Sequence, residues 1–118
     1  MPTRDDILLK IEIGAPFSKT FRWKNKFREP IILTGYQFRS QFRSNLGTEN
    51  ILCTLDTNEG ITVNSGLGEI TIHIPPEITS TLNQYSSGLW SIEYCNQEDA
   101  HFKKLIGGRW QAEIEVTV

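Results

Sequence analysis

Histidine and cysteine are scarce in this chain, and their scarcity removes most of the chemistry they perform. Two of each occur in 118 residues. His73 and His101 form no pair at metal-ligand spacing, and Cys53 and Cys95 lie far apart with no Cys-x-x-Cys, so the common zinc and dithiol signatures are missing. Both histidines read as structural, and no neighbouring residue marks either thiol as an activated nucleophile. Long apolar runs are absent too. None approaches the roughly 18 residues that a membrane-crossing helix needs, so no membrane insertion is expected. Met1-Pro2-Thr3-Arg4-Asp5-Asp6 carries two acids and leads into Ile7-Leu8-Leu9 without a small-residue cleavage site, so no signal peptide is expected. Without export, Cys53 and Cys95 are expected as reduced, partly buried thiols. Gly66-Leu67-Gly68 lies between strands rather than before a helix, which removes a phosphate-cradling loop. Asp56 with Glu59, and Glu98 with Asp99, lack the spaced oxygen ligands of a calcium loop and read as solvated turn acids. No catalytic residue, metal or cofactor follows from the sequence, and the chain is read as non-enzymatic.

What is present is alternation. Phe21 and Trp23 share one face of Ser18–Lys24, while Thr20, Arg22 and Lys24 share the other. Tyr36, Phe38 and Phe42 face inward from a strand whose outward row is Gln37, Arg39, Gln41 and Arg43. Ile70–Ile74, Trp90–Tyr94 and Trp110–Val118 repeat the pattern, the last with Glu113 and Glu115 outward. Period two is the signature of half-buried strands. Gly14-Ala15-Pro16, Pro30, Asn45-Leu46-Gly47, Asn58-Glu59-Gly60, Ser65–Gly68, Ser87-Gly88 and Gly107-Gly108 punctuate the runs. Only Pro75–Asn83 departs from alternation. Its leading prolines and the spacing of Ile78 and Leu82 predict one or two helical turns crossing between sheets. The sum is one all-β domain over residues 1–118, a sandwich of seven or eight strands with one short helical turn.

The net charge of −2 conceals a split. Residues 1–43 hold nine Lys/Arg against four Asp/Glu, and residues 44–118 hold three against ten. Either copies meet head to tail, or basic strands lie beside acidic ones within one fold, and the second is the simpler reading. Nucleic-acid binding is not expected. The isoelectric point is about 5.7, and Phe21, Trp23, Phe38 and Phe42 face away from the basic rows, where they cannot stack on bases. Trp23, Trp90 and Trp110 all fall on apolar faces, which favours core packing over a sugar-stacking platform.

Taken in order, several segments carry a family resemblance. They are Phe17–Phe21 with Trp23, Pro30-Ile31-Ile32-Leu33-Thr34-Gly35-Tyr36, Phe38–Arg43, Asn58-Glu59-Gly60-Ile61, Gly68–Ile72, Gly88–Glu93 and Leu105–Trp110. The chain resembles the immunoglobulin-like domains of tailed-phage and prophage structural proteins, and is similar to the N-terminal domain of baseplate upper proteins. It departs where that family has Tyr-Asp, since Glu93-Tyr94 stands there. The resemblance implies an immunoglobulin-like antiparallel sandwich and a virion structural protein of the tail or baseplate. Its implied partners are other virion proteins or copies of itself, with a homo-oligomer as one outcome. Arg22, Lys24, Arg39, Arg43, Glu113 and Glu115 are the candidate contact residues. The alternative is a module that binds carbohydrate or another surface ligand.

Overall fold

The computed structural model describes residues 4–44, 51–84, 87–96 and 101–113. Eight strands form, as the alternation predicts: β1 Arg4–Glu12, β2 Phe17–Arg22, β3 Tyr36–Ser44, β4 Ile51–Asp56, β5 Ile61–Asn64, β6 Glu69–Ile74, β7 Ser87–Asn96 and β8 Lys103–Glu113. They build a five-stranded sheet in the order β1-β8-β7-β3-β4 and a three-stranded sheet in the order β2-β6-β5. All pairings between named strands are antiparallel except one. β1 runs parallel to β8, a departure from the antiparallel expectation. Side-chain alternation is the same in both directions, so the sequence does not distinguish them.

The core lies between the sheets and is made by the inward phases. Phe38, Phe42, Ile70, Ile72, Ile74, Ile92 and Trp110 are almost wholly buried. Ser40 shares the inward row of β3, and its hydroxyl donates to the Ser91 carbonyl at 2.9 Å. The predicted crossing is α1, Pro76–Thr79, with a 3-10 turn over Ser80–Gln84. Thr79 is buried at its end. The Thr79 hydroxyl accepts from the Gly14 N–H at 3.1 Å and donates to the Ala15 carbonyl at 2.9 Å. One hydroxyl thereby ties the β6–β7 crossing to the corner at which the chain leaves β1 for β2.

Two tryptophans brace the larger sheet. The pattern glycine-x-tryptophan occurs in both β7 and β8, as Gly88-Leu89-Trp90 and Gly108-Arg109-Trp110, and the register sets Gly88 opposite Trp110 and Trp90 opposite Gly108. The Trp90 indole reaches across β8 and donates to the Ile7 carbonyl on β1 at 3.0 Å. Trp110 reaches across β7 and donates to the Arg43 carbonyl on β3 at 2.9 Å. Each bond requires a bare glycine in its path. A Cβ at Gly88 would overlap the Arg43 oxygen and the Trp110 ring nitrogen, and one at Gly108 would overlap the Ile7 backbone. Trp90 also stacks on Phe21 of the opposite sheet, centroids 5.4 Å apart, and on Phe42 at 6.3 Å. Such pairs contribute about 0.5–1.5 kcal/mol beyond simple burial.

Gly88→Ala and Gly108→Ala are each expected to destabilise the fold by about 3 kcal/mol or more, because backbone and indole must move apart. Gly66 has open space around its Cα, so Gly66→Ala should change stability by no more than about 0.5 kcal/mol. Trp90→Phe keeps a stacked ring but strands the Ile7 carbonyl, at a cost of about 1–3 kcal/mol. Urea unfolding of the four variants measures all of these.

Candidate interaction surface

The six residues singled out from the sequence do not share one face. Arg22 ends β2 on the three-stranded sheet, and its guanidinium meets Glu69 of β6 at 2.8 Å. Lys24 lies beyond β2, bridged through its backbone to Pro30. Arg39 and Arg43 project from the outer face of the five-stranded sheet. Arg39 contacts Glu93 of β7 at 3.0 Å and lies over the Phe102 ring, 4.2 Å from its centroid. Arg43 donates to Gln41 Oε1 at 2.6 Å. Glu113 ends β8 and is 3.9 Å from Lys10, while Glu115 lies outside the described residues, as does the Glu98–Asp99 pair. These three ion pairs each join a cation of the basic first part to an acid of the acidic second part. The charge split is thus used inside the fold, strand against strand.

Apolar exposure identifies two other surfaces, and the sequence reading missed both. Among the described residues the exposed large hydrophobics are Leu8, Phe27, Ile32, Ile51, Leu67 and Leu89. Leu8, Leu89 and Ile51 fall on one line across the outer face of the larger sheet. Leu8 pairs with Arg109, Arg109 with Leu89, Leu89 with Arg43, and Arg43 with Ile51. The result is a row of apolar and cationic side chains in strict alternation. Open hollows flank it, one of about 630 Å³ beside Leu8 and Arg109 and one of about 240 Å³ beside Arg43 and Leu89. A usable signal existed for Leu89: with Trp90 inward, its neighbour must point outward.

The other three cluster at the end of the sandwich where β2 stops. Residues 23–31 form a small basic arm. Its base is held by Trp23 N–H to Gly68 O at 2.8 Å and Ile31 N–H to Trp23 O at 2.9 Å. Its tip is closed by Asn25, whose side-chain oxygen accepts from Phe27 N–H at 2.8 Å and Glu29 N–H at 3.0 Å. Arg28 there holds φ +64°, a left-handed conformation uncommon outside glycine and asparagine. Phe27 is 70% exposed, with the Lys26 ammonium 5.2 Å from its ring centre. Lys24, Lys26 and Arg28 are exposed around it and meet no acid among the described residues. Ile32 and Leu67 flank the arm's docking on the 3-10 turn Ser65–Leu67, where Leu33 N–H bonds Ser65 O at 3.2 Å.

His73 and His101 are exposed. No group of three or more His, Cys, Asp or Glu among the described residues stands close enough to hold a metal ion. No helix among them is long and apolar enough to cross a membrane.

No family model and no curated protein matches the chain. Solved structures do, with 121 matching chains. One is a chicken TCR, similar over 98% of this chain and 56% of its own length, at 10% identity and a TM-score of 0.59. The fold is immunoglobulin-like. At that identity the likeness extends to the fold alone, and this chain spans little more than half of that neighbour.

In this immunoglobulin-like frame the sheets are joined by the Phe21–Trp90 stack, and both cysteines are free and buried. Cys53 on β4 faces the core opposite Phe42, while Cys95 on β7 opposes Gln37. β3 lies between them, so their backbones stand about 9.6 Å apart or more, beyond disulfide reach. Burial, helped by the nearby Glu59 carboxylate, pushes the Cys53 thiol from its ordinary 9.0 up to about 11. The fold therefore retains this proton longer than the unfolded chain does. Stability drawn from the neutral thiol is fully present below pH 9 and declines as pH rises through the interval to about 11. Urea midpoints at pH 8 and pH 10.5 should fall further for the natural chain than for Cys53→Ala, and Cys53 should resist alkylation at pH 8 until the chain is unfolded.

Proposed function

We propose that this immunoglobulin-like domain is a non-catalytic contact module of a tailed-phage or prophage virion, placed in the tail or baseplate and binding other virion proteins or further copies of itself. The observation that carries the contact role is the gathering of the six large hydrophobics exposed among the described residues into two patches, each interleaved with cations. Scattered single apolar residues need no explanation, whereas grouped ones mark interaction surfaces. Hydrogen bonds hold both patches in shape before any partner arrives, which lowers the entropy lost on binding. The virion setting is supported by the ordered segments from Phe17 to Trp110 that resemble phage structural domains.

Contact through the charged rows alone is less favoured than contact through the apolar patches, since Arg22 and Arg39 already hold Glu69 and Glu93. Carbohydrate binding finds less support, because Trp23, Trp90 and Trp110 are all buried and present no indole face to a sugar.

Antibody raised against the chain is expected to label tail structures of particles released by cells that carry its gene, seen by immunogold electron microscopy. Purified particles that lack the chain by both labelling and mass spectrometry would remove the virion placement.

A further inference from the structure

The row Leu8–Arg109–Leu89–Arg43–Ile51 has a chemistry and a pitch that select its occupant. Neighbouring strands stand about 4.8 Å apart, so the row advances by that step over about 19 Å. A second copy laid face to face would set guanidinium against guanidinium or against leucine, with no carboxylate in the row to meet it. The complement is a series of acids and apolar groups in alternation. An extended segment laid along the row repeats its same-face side chains about every 6.6 Å and drifts out of step. An α-helix returns to one face about every 5.4 Å, near the strand pitch, and can alternate acid and apolar residues on successive turns. The hollow beside Leu8 and Arg109 also takes in Asp6, and the one beside Arg43 and Leu89 takes in Glu93, which Arg39 holds; both widen the path along the row. The row is also fixed in place, since the Arg43 and Ile7 carbonyls accept the Trp110 and Trp90 indole N–H groups.

We propose that this outer row docks an acidic amphipathic α-helix of a partner protein, laid across the strands. Its carboxylates meet Arg43 and Arg109, and its apolar side chains cover Leu8, Leu89 and Ile51. The inference rests on the contact-module reading and supplies the partner's chemistry.

The test uses the full chain and a fluorescein-labelled helical peptide of roughly 18 residues, with glutamate and leucine on alternate turns of one face. A scrambled peptide of equal composition is the control, and anisotropy is the readout. The ordered peptide should bind about tenfold more tightly than the scrambled one at low salt, and should weaken as salt rises. Arg109→Glu should lower affinity about tenfold and Leu89→Ser about fivefold, with unfolding midpoints unchanged. Thr62→Glu, on the opposite sheet, should leave binding as it was. Equal binding of the two peptides, or an Arg109→Glu chain that binds as well as the natural one, overturns the proposal. A chain that labels tail particles but treats the peptides alike loses the helical partner and keeps its contact role. A chain that binds the ordered peptide but is absent from particles keeps the helical partner and loses its virion placement.

Discussion

Two indole N–H groups hold the five-stranded sheet together across strands that are not neighbours, and most of the architecture depends on them. Trp90 links β7 to β1 over β8, and Trp110 links β8 to β3 over β7. Both reach backbone carbonyls on the core side, where an unmet acceptor is costly. The bonds run in opposite directions through two adjacent strands, so four of the five strands are fixed in register. Register matters because a slip of one residue would turn every inward side chain outward. The glycines opposite the tryptophans are the steric condition for this bracing. They contribute no side chain of their own, yet a single methyl group at either position would meet backbone.

One of these tryptophans also joins the two sheets. Trp90 carries the Phe21 stack that spans the sandwich, and Trp23, Tyr36 and Tyr94 form a second ring cluster near the basic arm. Packing thus performs the joining that a disulfide performs in many small secreted sandwiches. The cysteines lie within one sheet and are uninvolved. Edges are managed by charge. Lys19 stands on the side of edge strand β2 shared by Phe17 and Phe21 and is exposed there, and a lysine on an edge strand discourages further strand pairing.

The proposed contact role falls to side chains whose exposure the frame enforces. Bracing from beneath positions Leu89 and its row on the outer face, and the Asn25 turn positions Phe27 at the tip of the arm. Three ion pairs set cations of the first part of the chain against acids of the second. Exposed pairs of that kind contribute little stability, about 0–1 kcal/mol each, but they spend the opposite charges of the two parts of the chain within the fold. Cations that meet no acid among the described residues, Arg109 in the row and Lys24, Lys26 and Arg28 on the arm, then give each apolar patch its electrostatic character.

The alternation of Phe38, Phe42, Trp90, Ile92 and Trp110 determined by itself that the chain is a sandwich and which side chains are inside, because strand periodicity and burial are one physical pattern. The crossing at Pro75–Asn83 was equally legible, since a proline-led helical start has a local cause. The parallel pairing of β1 with β8 was not legible, nor was the separation of Arg22 from Arg39 onto different sheets. Both depend on which distant strands become neighbours, and alternation is silent about that. The row from Leu8 to Ile51 is the clearest case. Its members come from five strands and more than a hundred residues of sequence, and only strand order and register bring them into line.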